Sequence, residues 1–233
     1  MSGGVGPIVS WSGPCPAIDP GRILRLHGYK DPDRVRPVIR SAAAGIAVRA
    51  QELAAVQGSW RRVDIEVVAG GTVRLPDDNT LRCPAFDRLL AGAREAIVFV
   101  LTLGEAFDHS VADLVDNAPG PLDALFLETA GRLAIEKLTR VMAAEIGDRL
   151  AAEALTLGPR LGPGYSYRVE GTTTGERVMW PLEQQHELFA LFGGARLPVT
   201  LLESSAMRPK MSRSGLIGVC AAPVSSRTPL ESP

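Results

Sequence analysis

The segment Ala96 to Thr102, AIVFVLT, constrains the fold more than any other stretch of the chain. It is short and mostly apolar, and its β-branched and aromatic content favours a buried central strand over a helix. Gly104 ends it. Everything else has to be arranged around such a strand. After Pro37 the apolar residues Val38, Ile39, Ala42, Ile46, Leu53 and Val56 recur at mostly helical spacing, and Gly58 stops the pattern, which gives a first amphipathic helix. Arg62 to Val67 alternates strictly, with Val63, Ile65 and Val67 opposed to Arg62, Asp64 and Glu66. Gly70-Gly71 and a second alternating stretch, Thr72 to Leu75, follow, so the pattern reads as a hairpin with one wet face.

Downstream, the pattern predicts a helix from Glu105 to Val115, the breaker Pro119-Gly120-Pro121, and a long helix from Leu122 to about Ile146. Gly158 to Tyr165 reads as a loop. Trp180 and Pro181 open a helix that ends at Gly193-Gly194, and two short strands, Pro198 to Glu203 and Leu216 to Ala221, complete the pattern. The repeating βα rhythm of a doubly wound sheet is missing. The expected class is α+β: one domain over residues 18–221 with a mixed or antiparallel sheet and flanking helices, preceded by an N-terminal extension over 1–17 and followed by a mobile Pro/Ser-rich tail over 222–233.

Composition excludes more than it assigns. The chain has 233 residues, 45% hydrophobic and 22% charged, with 25 Lys and Arg against 26 Asp and Glu. No strong field favours nucleic acid or an anionic membrane. Cys15, Cys83 and Cys220 are isolated and odd in number, which leaves neither a disulfide framework nor a CxxC motif and points to a reducing cytoplasm. His27, His109 and His186 lack the i, i+4 spacing of helical metal ligands, so no metal site is expected. The N-terminus lacks the basic and apolar regions of a signal peptide, and no run reaches the ~18 apolar residues of a membrane span.

The common fingerprints are also absent. Ala69-Gly-Gly-Thr72 sits in a hairpin turn rather than after a strand, so a dinucleotide-binding reading fails. No P-loop lysine and no Gly-x-Ser-x-Gly elbow occurs. Asp108-His109 lacks the spacing of the Asp-x-His-x-x-Gly signature of cobalamin-binding domains, with Ala112 where the glycine belongs, and reads as a polar helix surface.

Pro159-Arg-Leu-Gly-Pro-Gly-Tyr165 places an arginine five residues before a tyrosine, across a turn that Pro163 stiffens and Gly164 permits. Arginine offers a donor fork matched to a carboxylate, and tyrosine offers a π face and a hydroxyl. The small residues between them admit backbone groups to an aromatic base. Such a loop can hold a small ligand; it can equally be a surface turn with a solvated arginine.

Read together with their neighbours, these residues resemble the activation domain of cobalamin-dependent methionine synthase. Arg160-x-x-x-Gly164-Tyr165 looks like that family's S-adenosylmethionine loop. Trp180-Pro-Leu-x-x-Gln185 with Leu188-Phe189 is similar to the helix that follows in its short stand-alone members. Glu203-Ser204-x-Ala206-Met207-x-Pro209-x-x-Ser212-x-Ser214-Gly215 matches the family's pattern without a gap. Ile23 to Tyr29, Thr102-x-Gly104 and Gly131-x-x-x-Ile135-Glu136 resemble its opening, its central strand and its long helix.

The resemblance implies a domain that binds S-adenosylmethionine and presents the methyl group to a cobalamin in the cob(II) state, with one electron from a flavodoxin-like or other external donor. It implies that Arg160 holds the methionine carboxylate, that the Gly162 backbone meets the adenine and that Gly164 and Tyr165 line the ligand. Glu136 would face the ammonium, although Arg132, Glu136 and Arg140 also have the spacing of a solvated ion-pair ladder. Glu203, Ser204, Ser212 and Ser214 read as scaffold that satisfies the backbone of an irregular loop. Two departures stand out. Ser166 to Met179 is inserted between the Gly-Tyr pair and the Pro-Leu helix, and the length leaves no room for methyltransferase or cobalamin modules. The implied role is therefore an accessory subunit of a split enzyme, with the cobalamin on a partner methyltransferase chain. A reactivator of another corrinoid system and a non-catalytic binding module on the same fold are the alternatives.

Overall fold

The computed structural model describes residues 4–117, 121–168 and 177–222. The first half contains strand β1 (Val9–Trp11), helices α1 (Pro20–Leu26) and α2 (Pro37–Leu53), strands β2 (Gln57–Asp64), β3 (Val67–Ala69), β4 (Thr72–Arg74) and β5 (Thr80–Arg82), and the short helix α3 (Phe86–Leu89). Strand β6 (Glu95–Thr102) leads into helices α4 (Glu105–Asn117) and α5 (Pro121–Ala151) and strand β7 (Leu155–Leu161). The last part comprises strands β8 (Ser166–Arg168) and β9 (Arg177–Met179), helix α6 (Gln185–Ala190) and strands β10 (Thr200–Leu201), β11 (Met207–Arg208) and β12 (Ser212–Ala221).

The main sheet is antiparallel, in the order β1-β2-β6-β12-β7. β6 occupies its centre, and every residue from Ala96 to Thr102 is buried. Because side chains alternate along a strand, that one segment feeds two cores. Ile97, Phe99 and Leu101 join Ile217 of β12 beneath α2, α4 and α5, against Ile46, Phe107, Phe126 and Leu138. Ala96, Val98 and Val100 join Leu216 on the opposite face, against Val73, Leu81, Phe86, Trp180 and Phe192. The mixture of helices with antiparallel sheets is the class expected from the sequence.

Helix boundaries follow local chemistry. Asp19 caps α1 by accepting from the Gly21 amide at 2.8 Å, and α2 starts on Pro37, where a missing amide costs nothing. Gly131 lets α5 approach its neighbours: a Cβ there would lie 2.8 Å from the Phe107 ring and 2.9 Å from the Met211 sulfur. One turn later α5 carries Ile135 and Glu136, so this close approach sets where Glu136 meets the sheet.

Several expectations need correction. Arg62 to Val67 and Thr72 to Leu75 do not form one hairpin. β2 starts earlier and pairs with β1 and β6, whereas β3 and β4 pair with each other across the turn at Gly70-Gly71, and β4 pairs on its other edge with β5 in a separate three-stranded sheet. Sheet edges, invisible to alternation alone, made that choice. Gly158 to Tyr165 is not all loop, because Leu155 to Leu161 is strand β7 and Arg160 stands on it opposite Ile217. The helix expected from Trp180 is short, with a 3₁₀ turn at Leu182–Gln184 before α6. The strand expected from Pro198 shrinks to β10, while β12 begins four residues earlier than expected, at Ser212. The Pro119-Gly120 part of the breaker, the middle of the insert over 169–176, and the tail from 223 onward lie outside the described residues.

Candidate functional site

Three elements converge at one end of the helical face. α5 brings Glu128, Arg132, Ile135, Glu136 and Arg140; β7 brings Arg160; β12 brings Arg213. One Glu136 carboxylate oxygen accepts from Arg160 Nη2 at 3.2 Å and from Arg140 Nε at 3.4 Å, and the other accepts from Arg213 Nη1. The Arg213 guanidinium also lies over the Tyr165 ring, 4.8 Å from its centroid. Arg213 is 19% exposed and Arg160 29%, so both ions are substantially desolvated.

The charges do not balance. Three guanidiniums surround one carboxylate, which leaves two positive charges in the cluster. Arg160 Nη1 is enclosed and has no acceptor among the described residues. A buried donor without a partner is costly, and a carboxylate is a group whose chemistry would satisfy it. Burial pushes the Glu136 carboxyl up, but the Arg213 and Arg160 guanidiniums outweigh it and hold the group below the ordinary glutamate range.

A cavity of about 270 Å³ opens beside the cluster, lined by Glu128, Arg132, Ile135, Tyr165, Met211 and Arg213 among others. It is close to the lower end of the usual range for small-molecule pockets. Glu128 pairs with Lys210 and, at 3.7 Å, with Arg132. A second hollow of about 330 Å³ reaches Glu136 between α5 and the residues around Ile18, with Arg22, Lys137 and Arg140 on its wall.

The sequence-derived residues are brought together in part. Arg160 and Glu136 touch, and Tyr165 joins them through Arg213. The ladder is half real, since Arg140 reaches Glu136 but Arg132 turns to Glu128. Gly162 is adjacent to the Tyr165 ring, where a Cβ would lie 3.2 Å away, and Gly164 adopts a positive φ of 82° that suits glycine. The Gly162 amide donates to the Tyr167 hydroxyl at 2.7 Å, and that hydroxyl donates to the Gly162 carbonyl at 3.1 Å. The Gly164 amide and Tyr165 carbonyl are engaged by Trp180. The loop thus keeps these backbone polar groups within the protein, and its Tyr165 side chain lines the cavity.

The polar block that leads into and opens β12 acts as scaffold. Ser214 donates to Gln185 at 2.6 Å, the Gln185 amide donates to the Ser205 carbonyl at 2.6 Å, and Ser212 donates to the Pro209 carbonyl at 2.6 Å. Glu203 and Ser204 are exposed.

Three residues escaped the sequence reading. Arg213 fell on an unspecified position of the Ser212-x-Ser214 motif; strand alternation from Ile217 would have placed it on the helical face. Tyr167 lay in the insert, with no local signal for its role. Asp108, read as polar surface, accepts the backbone amides of Lys210 and Met211 and ties α4 to the approach of β12. Among the described residues, no group of three or more His, Cys, Asp or Glu is placed to hold a metal, and no helix is long and apolar enough to cross a membrane.

Among solved structures, the chain is similar to a crystal structure of the MetH reactivation domain bound to AdoHcy. The TM-score is 0.53 at 14% sequence identity, and the match covers 94% of this chain and 79% of that one. This likeness shows the fold. No family model and no curated protein matches the chain.

Proposed function

We propose, from a fold shared with the MetH reactivation domain, that this chain is a cytoplasmic S-adenosylmethionine-binding subunit for reactivation of a cobalamin-dependent methionine synthase. The observation that carries the proposal is the guanidinium cluster around Glu136, with its unpartnered Arg160 Nη1, beside a cavity walled by Tyr165. An excess of partly buried guanidinium charge suits the carboxylate of an amino acid, and Glu136 suits its ammonium. S-adenosylmethionine would supply the methyl group. Arg160 holds and orients the ligand's carboxylate, Glu136 faces its ammonium, and Tyr165 closes the wall with Gly162 and Gly164 behind it. The corrinoid resides on a separate methyltransferase chain, and the electron comes from a flavodoxin-like or other external donor. The chain is then an accessory part of the enzyme, without a complete active site of its own.

Titration calorimetry with S-adenosylmethionine tests the site. Binding that weakens at least about tenfold in Arg160→Ala, the loss of a charge-assisted hydrogen bond, supports it. No heat of binding, or indifference to the substitution, removes it. Methionine auxotrophy on deletion, rescued by methionine, supports this client over another corrinoid system.

One observation favours a second reading, a binding module without productive chemistry: the insert brings in Tyr167, which occupies the Gly162 amide and carbonyl. Reconstitution with the corrinoid subunit, a reductant and S-adenosylmethionine separates the two, because methylcobalamin formation is incompatible with an inert module.

A further inference from the structure

Arg160 is the guanidinium the sequence singles out, yet it is Arg213 that lines the open cavity, together with Tyr165, Ile135 and Met211. Arg160 stands behind it, joined to it through the shared Glu136 carboxylate. We infer that Arg213 is a ligand-binding residue, which takes the carboxylate of an α-amino-acid ligand jointly with Arg160; the inference rests on the S-adenosylmethionine reading above.

Four observations lead to this assignment. Arg213 sits on β12, packed between the Tyr165 ring and Glu136, so its side chain is held on two sides and pre-organised. One of its donors goes to Glu136, and its planar fork carries further donors in fixed geometry. The cluster bears two positive charges in excess, which one ligand carboxylate partly neutralises. The same cavity is lined by Arg132 and Lys210 as well as Arg213, against the single carboxylate of Glu128, so its wall carries an excess of cations that suits an anionic group.

The residue is a specificity determinant rather than a general anchor. A guanidinium that meets only the carboxylate contributes to a ligand that has one and nothing to a ligand that lacks it. Lysine keeps the charge but loses both the fork and the stacking on Tyr165.

Calorimetry on the full chain, comparing S-adenosylmethionine with its decarboxylated analogue, reads this directly. Wild type is expected to prefer the carboxylate-bearing ligand. In Arg213→Ala, S-adenosylmethionine is expected to bind at least about tenfold more weakly, while the decarboxylated analogue binds as it does to wild type. Arg213→Lys is expected to fall between the two, and carries the test should the alanine variant not fold. Wild-type affinity of both variants for S-adenosylmethionine overturns the assignment, as does an equal loss for both ligands, which marks a merely structural role. Failure of the wild-type chain to bind either ligand overturns the S-adenosylmethionine reading itself, and this assignment with it.

Discussion

The Tyr167 hydroxyl is bonded to both backbone groups of a single residue: it accepts from the Gly162 amide at 2.7 Å and donates to the Gly162 carbonyl at 3.1 Å. The insert therefore does structural service inside the loop that precedes it. Tyr167→Phe leaves the amide of a buried glycine without its partner and its carbonyl with the Tyr165 amide alone, and is expected to cost about 1–2 kcal/mol in urea denaturation. Burial raises the phenol above its ordinary value. A raised folded value gives stability that is complete below the unfolded value, roughly 10, and is lost as pH rises past it. Wild type should lose this increment in alkali, and Tyr167→Phe should not.

Glu136 behaves in the opposite sense. Its folded value is depressed, so its stabilisation is present above the ordinary glutamate value, roughly 4, and disappears as pH falls through the folded value. Glu136→Gln leaves Arg140, Arg160 and Arg213 without their counterion. The cost near pH 7 should be about 1–2 kcal/mol, because the group is partly solvent-screened. Equilibrium unfolding at a series of pH values should show the two proteins converging in acid.

Gly215 is required by packing. A Cβ at this position would lie 2.3 Å from the Leu161 carbonyl oxygen and 2.8 Å from the Phe99 ring, and the carbonyl belongs to the neighbouring strand. Gly215→Ala should destabilise the fold by about 3 kcal/mol, read as a lowered thermal midpoint.

Asp108 connects α4 to the start of the site strand. Asp108→Ala removes the acceptor for the Lys210 and Met211 amides and should cost about 1–2 kcal/mol. Because Met211 and Arg213 follow directly, S-adenosylmethionine affinity in calorimetry should fall as well. Asp108→Asn, which keeps one acceptor oxygen, should recover part of both losses.

The central strand, the long helix and the α+β class were legible in the sequence because they rest on periodicity, a local signal with a physical cause. The hairpin was misread because alternation shows which residues share a face and is silent on which strand lies alongside. Arg160 looked like a loop residue, since Gly158 and Pro159 mark turns locally, yet cross-strand pairing with Ile217 fixes it on an edge strand. The site was legible to the extent that its residues belong to a recognisable motif. Arg213 and Tyr167 did not, and their roles exist only once distant segments meet. Asp108 shows the same limit: an acidic residue on a polar helix face looks the same whether it faces water or two backbone amides.

The strand order carries one more consequence. β12 lies between β6 and β7, so it separates two strands that precede it in the chain, and Arg213 closes on Glu136 across 77 residues. Arg160 therefore has no sheet neighbour beyond its own strand until β12 docks. A nascent chain still missing β12 on the ribosome carries most of the helical layer but lacks Arg213, the member of the guanidinium cluster that meets the Tyr165 ring. On the function proposed above, ligand binding would report that synthesis has passed β12 and that the strand has threaded home.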